Sequence, residues 1–69
     1  MTVNYNRLWK LLIDLNMSRT ELREKAGITT NALAKMGRNE NVSTEILCKI
    51  CNTLNCQMED IVELVSDNK

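Results

Sequence analysis

Proline, histidine and phenylalanine are absent from this 69-residue chain, and glycine occurs only at Gly27 and Gly37. Each absence excludes something. Sandwich turns and hairpins draw on glycine and proline, so their scarcity argues against an all-β fold. A hydrophobic content of 43% argues against disorder. Without histidine the commonest general base is missing, and so is the commonest metal ligand. No glycine-rich phosphate loop or nucleophile motif stands in for it, so the chain is read as no enzyme. No run approaches the roughly eighteen apolar residues of a membrane helix. The start, MTVNYNRLW, has neither the basic nor the apolar region of a signal peptide. A cytoplasmic protein with reduced thiols and no membrane partner is expected. Residues 1–69 give room for one small domain, with a core thin enough to make oligomerisation a standing expectation.

Cysteine is present but in the wrong company for a metal. Cys48, Cys51 and Cys56 follow C-x2-C-x4-C, one ligand short of a structural zinc site and with no histidine to complete it. They read as small hydrophobes, and neither a metal nor another cofactor is expected. A thiol sensor would require Cys48 or Cys56 to be exposed with a lowered pKa.

Net charge is zero, but its distribution is uneven. Up to Glu40 the basic residues Arg7, Lys10, Arg19, Arg23, Lys25, Lys35 and Arg38 face Asp14, Glu21, Glu24 and Glu40, a formal +3. From Asn41 onward Lys49 and Lys69 face Glu45, Glu59, Asp60, Glu63 and Asp67, a formal −3. A basic face backed by an acidic one is compatible with a polyanionic partner.

The basic half contains the most legible stretch, residues 18 to 38. Ser18 and Glu21 have capping-box spacing. Leu22 and Ala26 give an apolar face at i, i+4, and Gly27 stands where a left-handed ending is wanted. Ile28 fills the corner, Thr29 and Thr30 offer a second N-cap, and Leu33 and Met36 resume the apolar spacing. Helix, glycine turn and capped helix in about twenty residues is the helix-turn-helix layout.

Around it, Asn4 to Leu15 reads as a first helix with Tyr5, Leu8, Leu12 and Leu15 on one stripe, Trp9 beside it and Asn16 ending it. Trp9 is either core or an interface anchor. Ser43 or Thr44 caps a fourth helix that runs to about Leu54 on Ile46, Leu47, Ile50 and Cys51, with Asn55 as terminator. Gln57 to about Val65 reads as a fifth short helix, with Glu59 and Asp60 in its first turn. It carries more apolar surface than one buried face needs, so Ile61, Leu64 and Val65 are expected at a dimer interface. Ser66 to Lys69 reads as a frayed tail.

In a helix-turn-helix unit the start of the second helix reaches base edges. Thr30 and Asn31 stand there, and asparagine pairs bidentately with adenine while a threonine methyl meets that of thymine. Lys35 follows one turn later. Arg19, Arg38 and Asn39 suit phosphates, while Thr29 and Thr30 can also serve merely as caps.

The segments MSRTELREKAGITTNALAKMG, LWKLL and NVSTEILCKICNTLNCQMEDIVEL resemble the Cro/repressor-type (XRE, lambda-repressor-like) helix-turn-helix regulators of bacteria, over nearly the whole chain. The resemblance implies an all-α, compact five-helix bundle whose helices 2 and 3 form the helix-turn-helix. It also implies binding as a homodimer to a two-fold operator in double-stranded DNA. By position it assigns Thr30, Asn31 and Lys35 to base reading, and Arg19, Thr29, Arg38 and Asn39 to the DNA backbone. Arg23 stands where the family has a small alanine: either its stem crosses the inter-helix contact with its charge in water, or the helices sit slightly apart. The expected function is a sequence-specific transcriptional regulator, a repressor rather than an activator because little surface remains to recruit polymerase. No small-molecule ligand is expected. The alternative is a helical interaction module, antitoxin-like or an adaptor, acting through Trp9 and the C-terminal helix.

Overall fold

Three of the four helices begin at a residue whose side chain caps them. The computed structural model describes residues 2–66. Helix α1 spans Asn6–Asp14, α2 Arg19–Ala26, α3 Thr30–Gly37 and α4 Thr44–Leu54. At α2, Ser18 Oγ accepts from the Glu21 N–H and Glu21 Oε1 accepts from the Ser18 N–H, both at 3.0 Å. This reciprocal box satisfies two end groups that the helix cannot pair itself. Thr29 Oγ1 caps α3 by accepting from the Ala32 N–H at 3.0 Å, and Ser43 Oγ caps α4 through the Ile46 N–H at 3.3 Å.

The helix ends follow the same logic. Gly27 closes α2 at φ 72°, and a Cβ built there meets nothing within 4 Å. The glycine is needed for its left-handed backbone, not for space. Asn55 ends α4 at φ 55°, and Asn16, after α1, sits at φ 56°. Asparagine is among the side chains that tolerate this region best.

The helices enclose one core. Leu8 and Leu12 of α1, Leu22 of α2, Ala32 and Met36 of α3, and Ile50 of α4 are buried together with Tyr5, Ile28 and Ile61. Ile28 occupies the corner between α2 and α3. Cys51 and Cys56 pack against this cluster as small apolar groups, whereas Cys48 is exposed. Trp9 is partly buried against it as well.

Two expectations are corrected here. The first is the fifth helix. After α4 the chain makes only a 3-10 turn at Met58–Asp60 and then a strand, β2, at Glu63–Val65. This strand pairs antiparallel with β1 at Thr2–Asn4, placing Val3 opposite Leu64. The five-helix bundle is therefore four helices and a two-stranded ribbon. The VELV segment fits a helix or a strand by spacing alone, and short apolar runs are ambiguous in that way. The pairing with β1, at the far end of the sequence, decides it. Asn4 accordingly belongs to β1 and not to α1.

The second concerns burial. Ile61, expected at a dimer interface, is 0% exposed within the single chain. It follows the 3-10 turn inward, while Leu64 (63%) and Val65 (39%) stay exposed. Leu15, placed on the buried stripe of α1, is exposed as the helix stops at Asp14.

Two long-range bonds hold the ribbon end. The Tyr5 hydroxyl donates to the Glu40 carbonyl at 2.7 Å, and burial pushes that hydroxyl's pKa up. Arg7 Nη1 donates to the Glu59 carbonyl at 2.9 Å, and its Nε lies 3.8 Å from Glu63 Oε1. Of the expected tail, residues 67–69 lie outside the described residues. Among the described residues no helix is long and apolar enough to cross a membrane.

Candidate DNA-binding surface

Helix α3 is two-faced because its apolar residues recur at helical spacing. Ala32 and Met36 turn inward, while Thr30, Asn31 and Ala34 are exposed. Thr29, the residue before it, is the N-cap, so its hydroxyl oxygen is committed to the Ala32 N–H. Only the hydroxyl hydrogen remains for an outside acceptor. Asn31 and Lys35, one turn apart, line a shallow groove of about 230 Å³ between α3 and the start of α4, with Val42 and Ser43 on its other wall.

Ala34 belongs on the exposed face although sequence reasoning passed over it. The signal was available: it lies at i+4 from Thr30, which on a helix means the same side. A small exposed methyl there is suited to close approach to a base edge.

The basic residues around α3 are not equivalent. Arg38 Nε donates to Glu40 Oε2 at 2.7 Å, with Nη2 3.4 Å from Oε1. That bond holds the Glu40 carboxyl below the ordinary glutamate range. Arg38 therefore meets any phosphate with its charge already shared. Asn39 follows in the left-handed region at φ 58° and turns the chain out of α3. Arg19, at the start of α2, lies with its Cζ 3.8 Å from the centroid of the Trp9 ring. The Arg23 side chain is about one-third exposed, with Nη2 3.7 Å from Glu24 Oε2.

The match to known proteins fits this arrangement. The family model of the Cro/C1-type HTH DNA-binding domain matches residues 7–67. The chain belongs to the Cro/C1-type helix-turn-helix family. It is 41% identical, over 59 residues, to the uncharacterized HTH-type transcriptional regulator YozG of Bacillus subtilis (strain 168), covering 83% of this chain and 70% of that one. Its fold matches the crystal structure of the transcriptional regulator VanUg with a TM-score of 0.88 at 53% identity, over 90% of this chain and 83% of that one. As a member of this family the chain is a DNA-binding transcriptional regulator, and its partner is double-stranded DNA.

Other readings find little footing. Cys48, one of the two thiols a sensor could use, is exposed, while burial pushes the other, Cys56, up to about 11 and pushes Cys51 up as well. A lowered pKa is what a sensing thiol needs, and Cys51 and Cys56 move the other way. The interaction-module alternative rested on Trp9 and a C-terminal helix. Arg19 lies over the Trp9 ring, Ile61 is in the core, and among the described residues no such helix forms.

Proposed function

We propose that this regulator binds a specific operator by inserting α3 into the DNA major groove, and that it acts as a repressor. The observation that carries the reading is the outward face of α3, where Thr30, Asn31 and Ala34 are exposed beside the partly covered Lys35. Asn31 is the adenine reader, Thr30 and Ala34 meet thymine methyls, and Lys35 reads guanine or holds a phosphate. Arg19, Asn39, the Thr29 hydroxyl hydrogen and, once released from Glu40, Arg38 hold the flanking backbone. Repression is the reading this geometry supports, because a domain seated in the major groove stands in the path of polymerase.

The regulator binds as a homodimer. A two-stranded ribbon leaves each strand an unpaired outer edge, and here that edge carries the exposed Leu64 and Val65. A second copy covers them. Selection from a random duplex library at near-physiological salt tests the whole reading. An enriched two-fold motif with half-sites about one helical turn apart is expected. A single enriched half-site would remove the dimer, and folded protein that enriches nothing would remove sequence-specific binding.

A further inference from the structure

The chain has four arginines, and three of them sit beside carboxylates. Arg7 faces Glu63 at 3.8 Å, Arg23 faces Glu24 at 3.7 Å, and Arg38 is bonded to Glu40 at 2.7 Å. Arg19 has no ion pair among the described residues. Its guanidinium lies on the ring of Trp9 instead, 3.8 Å from Cζ to centroid. It also reaches past its own helix, because Nη1 stands 3.7 Å from where a Cβ on Gly37 would be. One side chain thus lies on Trp9 of α1 and reaches toward Gly37 at the end of α3, while rooted at the first residue of α2.

A ring beneath a guanidinium differs from a carboxylate beside one. A carboxylate takes the in-plane N–H donors and cancels the charge. A ring takes only the flat face, leaving the charge whole and the donor fork free at its edge. Stacking also fixes a side chain that would otherwise lose rotamer freedom on binding. An arginine held flat, uncancelled and with open donors is built to receive an anion bidentately.

We propose that Trp9 is a positioning residue for DNA binding: its ring holds the Arg19 guanidinium against Gly37 with its donors open to a backbone phosphate. This rests on the DNA-binding reading above and assigns Trp9 a role beyond core packing. Gly37 borders this seat, since an alanine Cβ there would stand in ordinary contact with Arg19, 3.7 Å from Nη1.

The test is a double-mutant cycle on binding to a mixed-sequence DNA duplex at about 50 mM salt, because a phosphate contact is independent of sequence. Arg19→Ala should weaken binding about tenfold and make the salt dependence shallower by about one phosphate contact. Trp9→Leu should weaken it about three- to tenfold. Trp9→Phe, which keeps a ring face, should recover most of that loss. In the Arg19→Ala background, Trp9→Leu should add nothing further. Equal losses from Trp9→Leu in both backgrounds would make Trp9 merely structural and overturn the proposal. So would an unchanged salt slope in Arg19→Ala.

Trp9 is the sole tryptophan, so its fluorescence reports the stack without DNA. Free Arg19→Ala should emit differently from the parent chain, and identical spectra would deny the stack. A changed spectrum together with no duplex binding by the parent chain would deny the DNA-binding reading itself, and Trp9 positioning with it.

Discussion

The α2–α3 unit and the ribbon end are built on different principles. In α2–α3 every capping partner lies within a few residues: Ser18 with Glu21, Thr29 with Ala32, and Gly27 and Ile28 both back to the Arg23 carbonyl. At the ribbon end the partners are remote. Tyr5 reaches 35 positions to Glu40, Arg7 reaches 52 to Glu59, and Val3 pairs with Leu64. The helix ends of the proposed DNA-reading unit are thus set by near neighbours, and the frame behind it by contacts between distant parts of the sequence. The two should fail separately: damage to the frame costs stability, and damage to the exposed face costs recognition.

Ile61→Ala is the largest blow to the frame. It leaves a hole at a fully buried site and should cost about 2–5 kcal/mol in urea unfolding. Sequence preference in the fraction still folded should be unaltered. If Ile61 instead belonged to a dimer interface, the same change would separate subunits and leave monomer stability intact. Asn31→Ala strikes the other region. It should weaken cognate binding by about 1–3 kcal/mol, the size of a lost bidentate base contact, without moving the urea midpoint. Unchanged cognate affinity would strip Asn31 of its assigned role.

Smaller effects sharpen the boundary between the two regions. Ser18→Ala removes the cap of α2 and should cost about 1 kcal/mol. The same box has an acid dependence. The Ser18 N–H bond holds the Glu21 carboxyl below its ordinary value of 4.5. Its contribution is therefore full above that value and is lost as pH falls through the lower folded one. Thermal unfolding below pH 4.5 should then fall less steeply in Glu21→Gln than in the parent. Identical slopes would mean the carboxylate is not engaged in solution. Smallest is Gly37→Ala. The added methyl meets Arg19 at an ordinary 3.7 Å and improves helix propensity, so stability should rise by about 0.5–1 kcal/mol. Duplex affinity should hold, and a marked loss would mean Arg19 needs more room than its position in the free chain suggests.

That division also governs what could be read from the amino acids. The capping box at Ser18, the left-handed endings at Gly27, Asn16 and Asn55, and the caps at Thr29 and Ser43 are local facts, and local spacing announces them. The ribbon is not. Thr2–Asn4 is too short to show alternation, and its partner lies at the far end of the sequence, so nothing near either strand signals the other. Hence local spacing predicts a fifth helix over residues that form a 3-10 turn and a strand. The exposed face of α3 was legible for the same local reason as the caps, with Ala34 overlooked although its spacing from Thr30 marks it. Spacing reveals which side of a helix a charge occupies, but not what neutralises it. The contrast between Arg38, bonded to Glu40, and Arg19, laid on Trp9, became visible only with the side chains in place.

Pairing β1 with β2 sets Thr2 across from Val65, so the chain enters and leaves the fold through one doorway. A short turn joining these residues would make the ribbon a hairpin and the backbone a ring. Such a ring has fewer conformations to gain on unfolding, so it should melt higher while keeping the geometry of α3. Two copies could likewise be strung in tandem from that doorway, giving one continuous polypeptide whose paired heads no longer depend on concentration.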